Sequence, residues 1–449
     1  MPELLELRKT PTLGLDVTKL SRSISMTPLY RQGGTLKSVT GLLTSSVQAA
    51  VGDHCAIMPK KGEPILAEVI GFENNLSQLV PFDPVDNLTP GMPVFRKGGS
   101  LTVPTGPRLL GRVIDGLGRP LDGKGPIGDC PRQPLNRPAP AAMDRARIRE
   151  PFVSGIRAID STLTLGHGQR VGIFAGSGVG KSTLLGEMAK GAKADVNVIA
   201  LIGERGREVA PFLEDCLGAE GLARSVIIVA TCEQTPLMRV RATQAAIAIA
   251  DSFRDNGEQV LLMIDSLTRL ALAQRELGLL RGEPPSSRGY TPSVFQVLAN
   301  TIERLGNASV GGITALLTVL VDGGDLDEPI ADAVRSFVDG HIVLDRKIAE
   351  RGIYPAIDVS KSISRIATDV VSKDHSLAAR KLRSILATHA DILDLIRVGA
   401  YKKGNNLKDD KAIELMPRIE KFLKQDIGER ANFEQTRAAM MELTREWNF

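Results

Sequence analysis

RVGIFAGSGVGKSTLLGEMAKG runs from Arg170 to Gly191 and passes through three patterns without a break. RVGIFA (Arg170–Ala175) is a continuous apolar run, which predicts a strand buried on both faces. AGSGVGKST (Ala175–Thr183) is glycine-rich, and TLLGEMAKG has helical spacing. Strand, glycine loop, Lys-Ser and helix in this order make a phosphate cradle. Consecutive backbone N–H groups point at the anion, and the glycines let the backbone approach it. Gly176, Ser177, Gly178, Val179, Gly180 and Thr183 are the candidate binding residues of the loop. Lys181 can set its ammonium between β- and γ-phosphates, and Ser182 can offer its hydroxyl to Mg²⁺. The strict pattern has glycine six residues before the lysine. Here that position is Ala175.

Outward from this loop, apolar runs recur as VNVIALI (196–202), SVIIVA (225–230), VLLMID (260–265), ITALLTVL (313–320) and HIVLD (341–345). Helix-length stretches lie between them, including PLMRVRATQAAIAIADSFR and SVFQVLANTIERLG. That alternation predicts a parallel sheet of βαβ units. VLLMID ends on Asp265, where a carboxylate can hold the shell of Mg²⁺ at the carboxyl edge of the sheet. Glu204 follows the strand end at Ile202 on the same edge, placed to aim a water. A solvated loop acid is an equally good reading of Glu204 on position alone.

Upstream, short β-type runs such as HCAIMP and ILAEVIGF alternate with turn signals such as KKGEP and ENN, which predicts a small barrel or sandwich over 21–97. Residues 1–20 read as a loose arm with partner-binding potential. GLGRPLDGKGP and PRQPLNRPAP make 98–154 a connector that cannot hold a helix and wraps on the domain spanning 98–373. From 374 to 449 the pattern is helical only, with the long stretch MPRIEKFLKQDIGERANFEQTRAAMMELTREW near its end.

The chain has 449 residues, 43% hydrophobic and 24% charged, which excludes the disordered and fibrous classes. Lys+Arg 56 against Asp+Glu 52 leaves only +4 over the whole length, too dilute to argue for nucleic acid. Cys55, Cys130, Cys216 and Cys232 form no CxxC pair and are expected as small buried hydrophobes. No apolar run approaches the ~18 residues of a membrane span, and a cytoplasmic location is expected.

GERGREV (203–209), GEPPSSRGYTPSVF (282–295) and YPAIDVSKSISR (354–365) are more specific than the phosphate loop. With them the chain resembles the α/β family of rotary-type ATPases over essentially its whole length. FAGSGVGKS, SGIRAIDS and TVLVDGGDLDEPIAD resemble the flagellum-specific and type III secretion export ATPases, a branch that shares alanine at the 175 position. The resemblance implies an α/β RecA-like core with a parallel sheet, a small N-terminal β-barrel before it and a C-terminal helical domain after it. It also implies ATP and Mg²⁺ as cofactors. Glu204 is then the carboxylate that polarises water, with Arg205 and Glu208 nearby at phosphate and Mg²⁺. Arg365 matches an arginine finger supplied to a neighbouring subunit, and Tyr354 an aromatic stacking near adenine, with a core tyrosine the alternative.

The implied function is ATP hydrolysis by a homohexamer that energises export of flagellar or type III substrates. The implied partners are a stator-like regulator at the N-terminal arm, export-gate membrane proteins and chaperone–substrate complexes, with peripheral association at the inner membrane. Three rivals stand beside this reading: a rotary synthase subunit, which shares the catalytic parts, a Rho-type RNA translocase, and a purely structural nucleotide-binding ring subunit, which Glu204 disfavours. A rotary synthase subunit would carry an acidic DELSEED-type loop where this chain has NFEQTRAAMMEL. A Rho-type RNA translocase would need a base-stacking surface, and residues 1–100 offer only Tyr30, Phe72, Phe82 and Phe95.

Overall fold

The computed structural model describes residues 32–39 and 42–449. The N-terminal arm and Tyr30 lie outside the described residues.

Six strands close a barrel: β1 (Gly33–Ser38), β2 (Leu43–Ser45), β3 (His54–Ile57), β4 (Ile65–Glu73), β5 (Leu76–Pro81) and β6 (Pro93–Arg96), in the order β1-β2-β5-β4-β3-β6. Closure leaves no unpaired edge, so short strands suffice. Leu36, Cys55, Ile57, Val69, Leu79 and Val94 fill the interior. The ENN signal becomes the β4–β5 turn, where Asn74 and Asn75 both take the left-handed conformation (φ 49° and 62°) that tight hairpins demand.

The barrel strands up to Leu79, with residues 88–98, form one compact unit, and residues 80–87 and 99–449 form a second. The second unit is built on a sheet of β7 (Val113–Ile114), β8 (Arg170–Ala175), β9 (Val196–Ile202), β10 (Ser225–Ala230), β11 (Gln259–Asp265), β12 (Gly312–Leu320), β13 (Gly340–Leu344) and β14 (Ile363–Ser364). Their order is β14-β13-β8-β12-β11-β9-β10-β7. All the neighbours pair parallel except β14, which runs antiparallel to β13. Every residue of β9 and β10 is buried, as continuous apolar runs require when helices cover both faces. Within the connector, Val113 and Ile114 add the edge strand β7 to the sheet.

Helices α1 (Arg157–Thr162), α2 (Lys181–Gly191), α3 (Pro236–Asp255) and α4 (Leu267–Leu280) follow in chain order. α3 starts where Thr235 accepts the Met238 N–H and Pro236 takes the first turn, where its missing N–H costs nothing. Beyond β14 come α5 (Lys373–Arg397), α6 (Leu407–Leu423) and α7 (Phe433–Thr444), packed through Leu382, Ile385, Leu415, Ile419, Met440 and Trp447. The long final stretch is thus two helices. The chain breaks over 424–432, where Gly428 takes φ 82° and Asn432 caps α7 by accepting from the N–H groups of Glu434 and Gln435. Among the described residues no helix is long and apolar enough to cross a membrane.

All four cysteines are free, but they are not uniformly buried: Cys55 is buried, Cys130 and Cys216 are half-buried, and Cys232 is exposed. Cys232 lies in the turn after β10, where its backbone N–H bonds Glu204 O at 3.0 Å.

Candidate nucleotide site

The carboxyl ends of β8, β9 and β11 lie along one edge of the sheet, the edge where parallel sheets collect their ligands. The phosphate loop leaves that edge after Ala175. Ala175 is fully buried at the end of β8 and pairs with Leu320 and Leu344 in ordinary strand conformation, so a methyl group there obstructs nothing. Gly178 and Gly180 hold φ 77° and 87°, a region that favours glycine, and Gly180 is the residue from which α2 starts. Val179 between them is buried in the core and pins the loop down, while Ser177 and Ser182 stay exposed.

Three charged side chains converge beside the loop. Lys181 Nζ lies 2.5 Å from Asp265 Oδ1 and 3.6 Å from Glu204 Oε1. Thr318 Oγ1 donates to the same Asp265 oxygen at 2.8 Å. Glu204 Oε1 is buried and accepts no hydrogen bond. Burial, and then the negative charge of Asp265, push the Glu204 carboxyl above the ordinary glutamate range; the Lys181 ammonium and Arg269 pull the other way. Arg205 and Glu208 are exposed and pair with each other at 3.6 Å, and the Glu208 carboxyl adds to the upward push on Glu204.

A cleft of about 560 Å³ opens beside the loop, lined by Gly178, Gly180, Thr183, Tyr354, Gln425 and Ile427 among others. That lies within the roughly 300–1,000 Å³ of small-molecule sites. The Tyr354 ring edges Gly180 and is 44% exposed, so its face is open rather than packed in a core. The far wall comes from the 424–432 break. Gln425 is buried; its side chain donates to Gly155 O at 2.8 Å and accepts the Arg157 N–H at 2.7 Å, while its own N–H reaches Tyr354 O at 2.8 Å. An Arg157–Glu429 ion pair and an Arg430–Glu220 pair at 2.8 Å fasten the same segment.

A family model described as "ATP synthase alpha/beta family, nucleotide-binding domain" matches residues 155–364, and one described as "T3SS EscN ATPase C-terminal domain" matches 371–442. The chain is 50% identical over 426 residues to the flagellum-specific ATP synthase of Bacillus subtilis (strain 168), covering 94% of this chain and 97% of that protein. It is 45% identical over 441 residues to the type 3 secretion system ATPase of Xanthomonas euvesicatoria, covering 98% and 99%. The chain belongs to the family of flagellum-specific and type III secretion ATPases. A solved structure of the assembled ATPase EscN from the enteropathogenic E. coli type III secretion system superposes with a TM-score of 0.87 at 41% identity, covering 92% of this chain and all of that one.

In this ATPase the predicted residues divide into two sets. Lys181, Ser182, Glu204, Asp265 and Tyr354 gather around the loop and its cleft. Arg365 does not. Its backbone N–H bonds Asp339 O at 3.0 Å, at the start of β13, and its guanidinium donates to Arg335 O at 3.2 Å. It makes no ion pair among the described residues, so the salt bridge within its own chain that would explain it structurally is not there. Sequence reading missed three residues that the structure places at the candidate site. Thr318, one of two hydroxyls in the apolar run ITALLTVL, was detectable as an anomaly near the strand's carboxyl end. Arg269, packed against Gly203, and Gln425, 270 residues from Gly155, carried no local signal.

Proposed function

We propose that this ATPase works as a homohexamer in which each site is completed by the neighbouring chain, and that its hydrolysis energises export of flagellar or type III substrates. The observation that carries the reading is the division just described: one set of candidate groups at the carboxyl edge of the sheet, and Arg365 at the opposite edge. A ring of identical chains would bring one chain's Arg365 to the next chain's loop. The relative assembled from EscN, also solved in complex with its central stalk EscO, supports the ring and a regulator partner.

In the proposed reaction the loop N–H groups and Lys181 hold the β- and γ-phosphates. Glu204, ionised, accepts a hydrogen bond from water and aims it in line with the leaving group. Its unpartnered Oε1 is the acceptor available for that water. Lys181 has to release Asp265 to reach the phosphates, which leaves the carboxylate for a cation. The Ser182 hydroxyl and the Asp265 carboxylate are hard oxygen donors of the kind Mg²⁺ takes. Bound there, Mg²⁺ would neutralise charge on the phosphate oxygens. Arg365 from the neighbour would stabilise the charge spread over the transferring group, and Tyr354 would stack on adenine.

Arg205 and Glu208 are kept as candidates for phosphate and Mg²⁺ respectively, reached by movement of their loop. The N-terminal arm as a regulator site, export-gate membrane proteins and chaperone–substrate complexes as partners, and a peripheral place at the inner membrane complete the proposal. Activity measured against protein concentration, with mass measured in parallel, tests the ring. Specific activity should rise as hexamers form, by mass action. Full activity in a monomer would overturn it.

A further inference from the structure

A second, smaller cavity of about 160 Å³ lies away from the nucleotide cleft, between the end of α1, the strand β14 and the first turns of α5. At ~30 Å³ per water it holds the equivalent of about five water molecules. Arg380 and Arg383 line it with His375, and no Asp or Glu does. The other polar groups facing it are hydroxyls, those of Ser161, Ser364, Thr368 and Ser376 among them.

Two observations show that this lining is uncompensated. The Arg383 guanidinium is half-buried, yet it bonds only to carbonyl oxygens: Ser362 O at 3.0 Å from both terminal nitrogens, and Thr162 O at 3.3 Å. It makes no ion pair among the described residues. A desolvated cation without a counter-ion is costly, and burial does lower the Arg383 pKa. Ser161 is fully buried, and its Oγ has no hydrogen-bond partner. Arg380, exposed at the mouth, also makes no ion pair among the described residues. The acids around it, Asp369, which accepts from Thr368 at 3.4 Å, Glu434, whose charge acts on His375, and the buried Asp160, do not line the cavity. The cavity also lies at the N-terminal turns of a 25-residue helix, whose dipole favours negative charge.

We propose that this cavity is a binding site for a phosphate-sized oxyanion, distinct from the phosphate loop, with Arg383 and Arg380 as its cationic groups and Ser161 as an inner hydroxyl donor. The chemistry fits free inorganic phosphate or the phosphate of a small monoester equally. A nucleotide is too large. The site does not depend on the ATPase reading, since none of these residues belongs to the nucleotide cluster. Its neighbour is instead the proposed finger, because Ser364 on its wall immediately precedes Arg365.

The test uses the full-length chain carrying Lys181→Ala, which removes the main phosphate contact of the loop, titrated with inorganic phosphate by calorimetry. One phosphate per chain should still bind. Adding Arg380→Gln or Ser161→Ala should weaken that binding at least tenfold with the melting curve unchanged. Arg383→Gln should abolish it, and because this change also frees three carbonyl contacts, the two milder variants carry the decision. No phosphate bound by Lys181→Ala, or binding that ignores all three cavity substitutions, would overturn the site. Repeating the titration with glycerol phosphate separates the sources: tighter binding than inorganic phosphate assigns a monoester, and weaker or equal binding assigns the free ion.

Discussion

Arg365 and Lys181 lie at opposite edges of one sheet. Ser364 pairs with Gly340 at the start of β13, whereas the loop carrying Lys181 leaves β8 at Ala175, which pairs with Leu344 at the end of β13. Four residues of strand at ~3.3 Å each put roughly 13 Å of sheet between these two levels, before either side chain is counted. An arginine side chain does not cross that distance along its own subunit. If Arg365 meets a γ-phosphate, the phosphate is held by another chain.

Mixing two inactive proteins puts that to a direct test. Arg365→Ala should leave ATP binding intact and lower turnover by roughly 10³, the scale of a lost finger. Lys181→Ala should be inactive for a different reason. In mixed hexamers some interfaces join an intact loop to an intact Arg365, and part of the activity should return. A flat mixing curve, with mixed hexamers verified by mass, would place the role of Arg365 within its own chain.

Lys181→Ala alone should lose both hydrolysis and affinity. The ammonium contacts phosphate in the ground state as well as in the transition state, so KM and kcat both suffer. A further consequence follows from the 2.5 Å contact with Asp265: two buried carboxylates, Asp265 and Glu204, lose their nearest cation. The pKa of Glu204 should therefore rise further in this variant, measurable by carbon-detected carboxyl NMR.

Glu204→Gln keeps size and one acceptor oxygen but no charge. ATP binding should stay near normal while turnover drops by roughly a hundredfold or more. Equal loss of binding and turnover would make Glu204 a structural member of its loop.

The same residue sets a pH dependence. Burial and Asp265 raise the Glu204 carboxyl above its ordinary value of 4.5, so it takes up a proton sooner as pH falls. Only the ionised form activates water, and kcat/KM should fall on the acid side with a midpoint above 4.5. The residual activity of Glu204→Gln should lack that acid limb. An acid limb retained in the variant would assign it to another group.

Gln425→Ala removes the partner of two buried backbone groups, Gly155 O and the Arg157 N–H. Leaving such groups unsatisfied costs about 1–3 kcal/mol each; Gly155 O retains the Ala431 N–H at 3.2 Å, which moderates the loss. The cleft wall should loosen, weakening ATP binding by about tenfold with a smaller change in kcat. A lowered melting temperature with unchanged ATP affinity would confine Gln425 to stability.

What could be read along the chain was what is written locally. VNVIALI announces β9 because a strand buried on both faces needs no alternation, and GSGVGKS announces a loop because two of its glycines take positive φ. Asp265 and Glu204 were legible as residues ending or following such strands. The tie of Gln425 to Gly155 was not, since the groups that stop α6 and turn the chain at 424–432 lie on α1 and its approach. A two-residue edge strand such as Val113–Ile114 is too short to carry a period. The exposure of Cys232 depends on which side of a turn faces the sheet edge, and cysteine's usual preference for burial gives no warning of it.

The break at 424–432 also makes the outer helices a lever. α6 and α7 are held to each other by their own apolar core, while the link between them is clamped to the nucleotide cleft by Gln425, Glu429 and Arg430. A load applied to those helices from outside is therefore delivered in part to one wall of the cleft, beside what passes through Leu386 and Leu423 into the core under the sheet. In the other direction, whatever occupies the cleft decides how firmly that lever is seated.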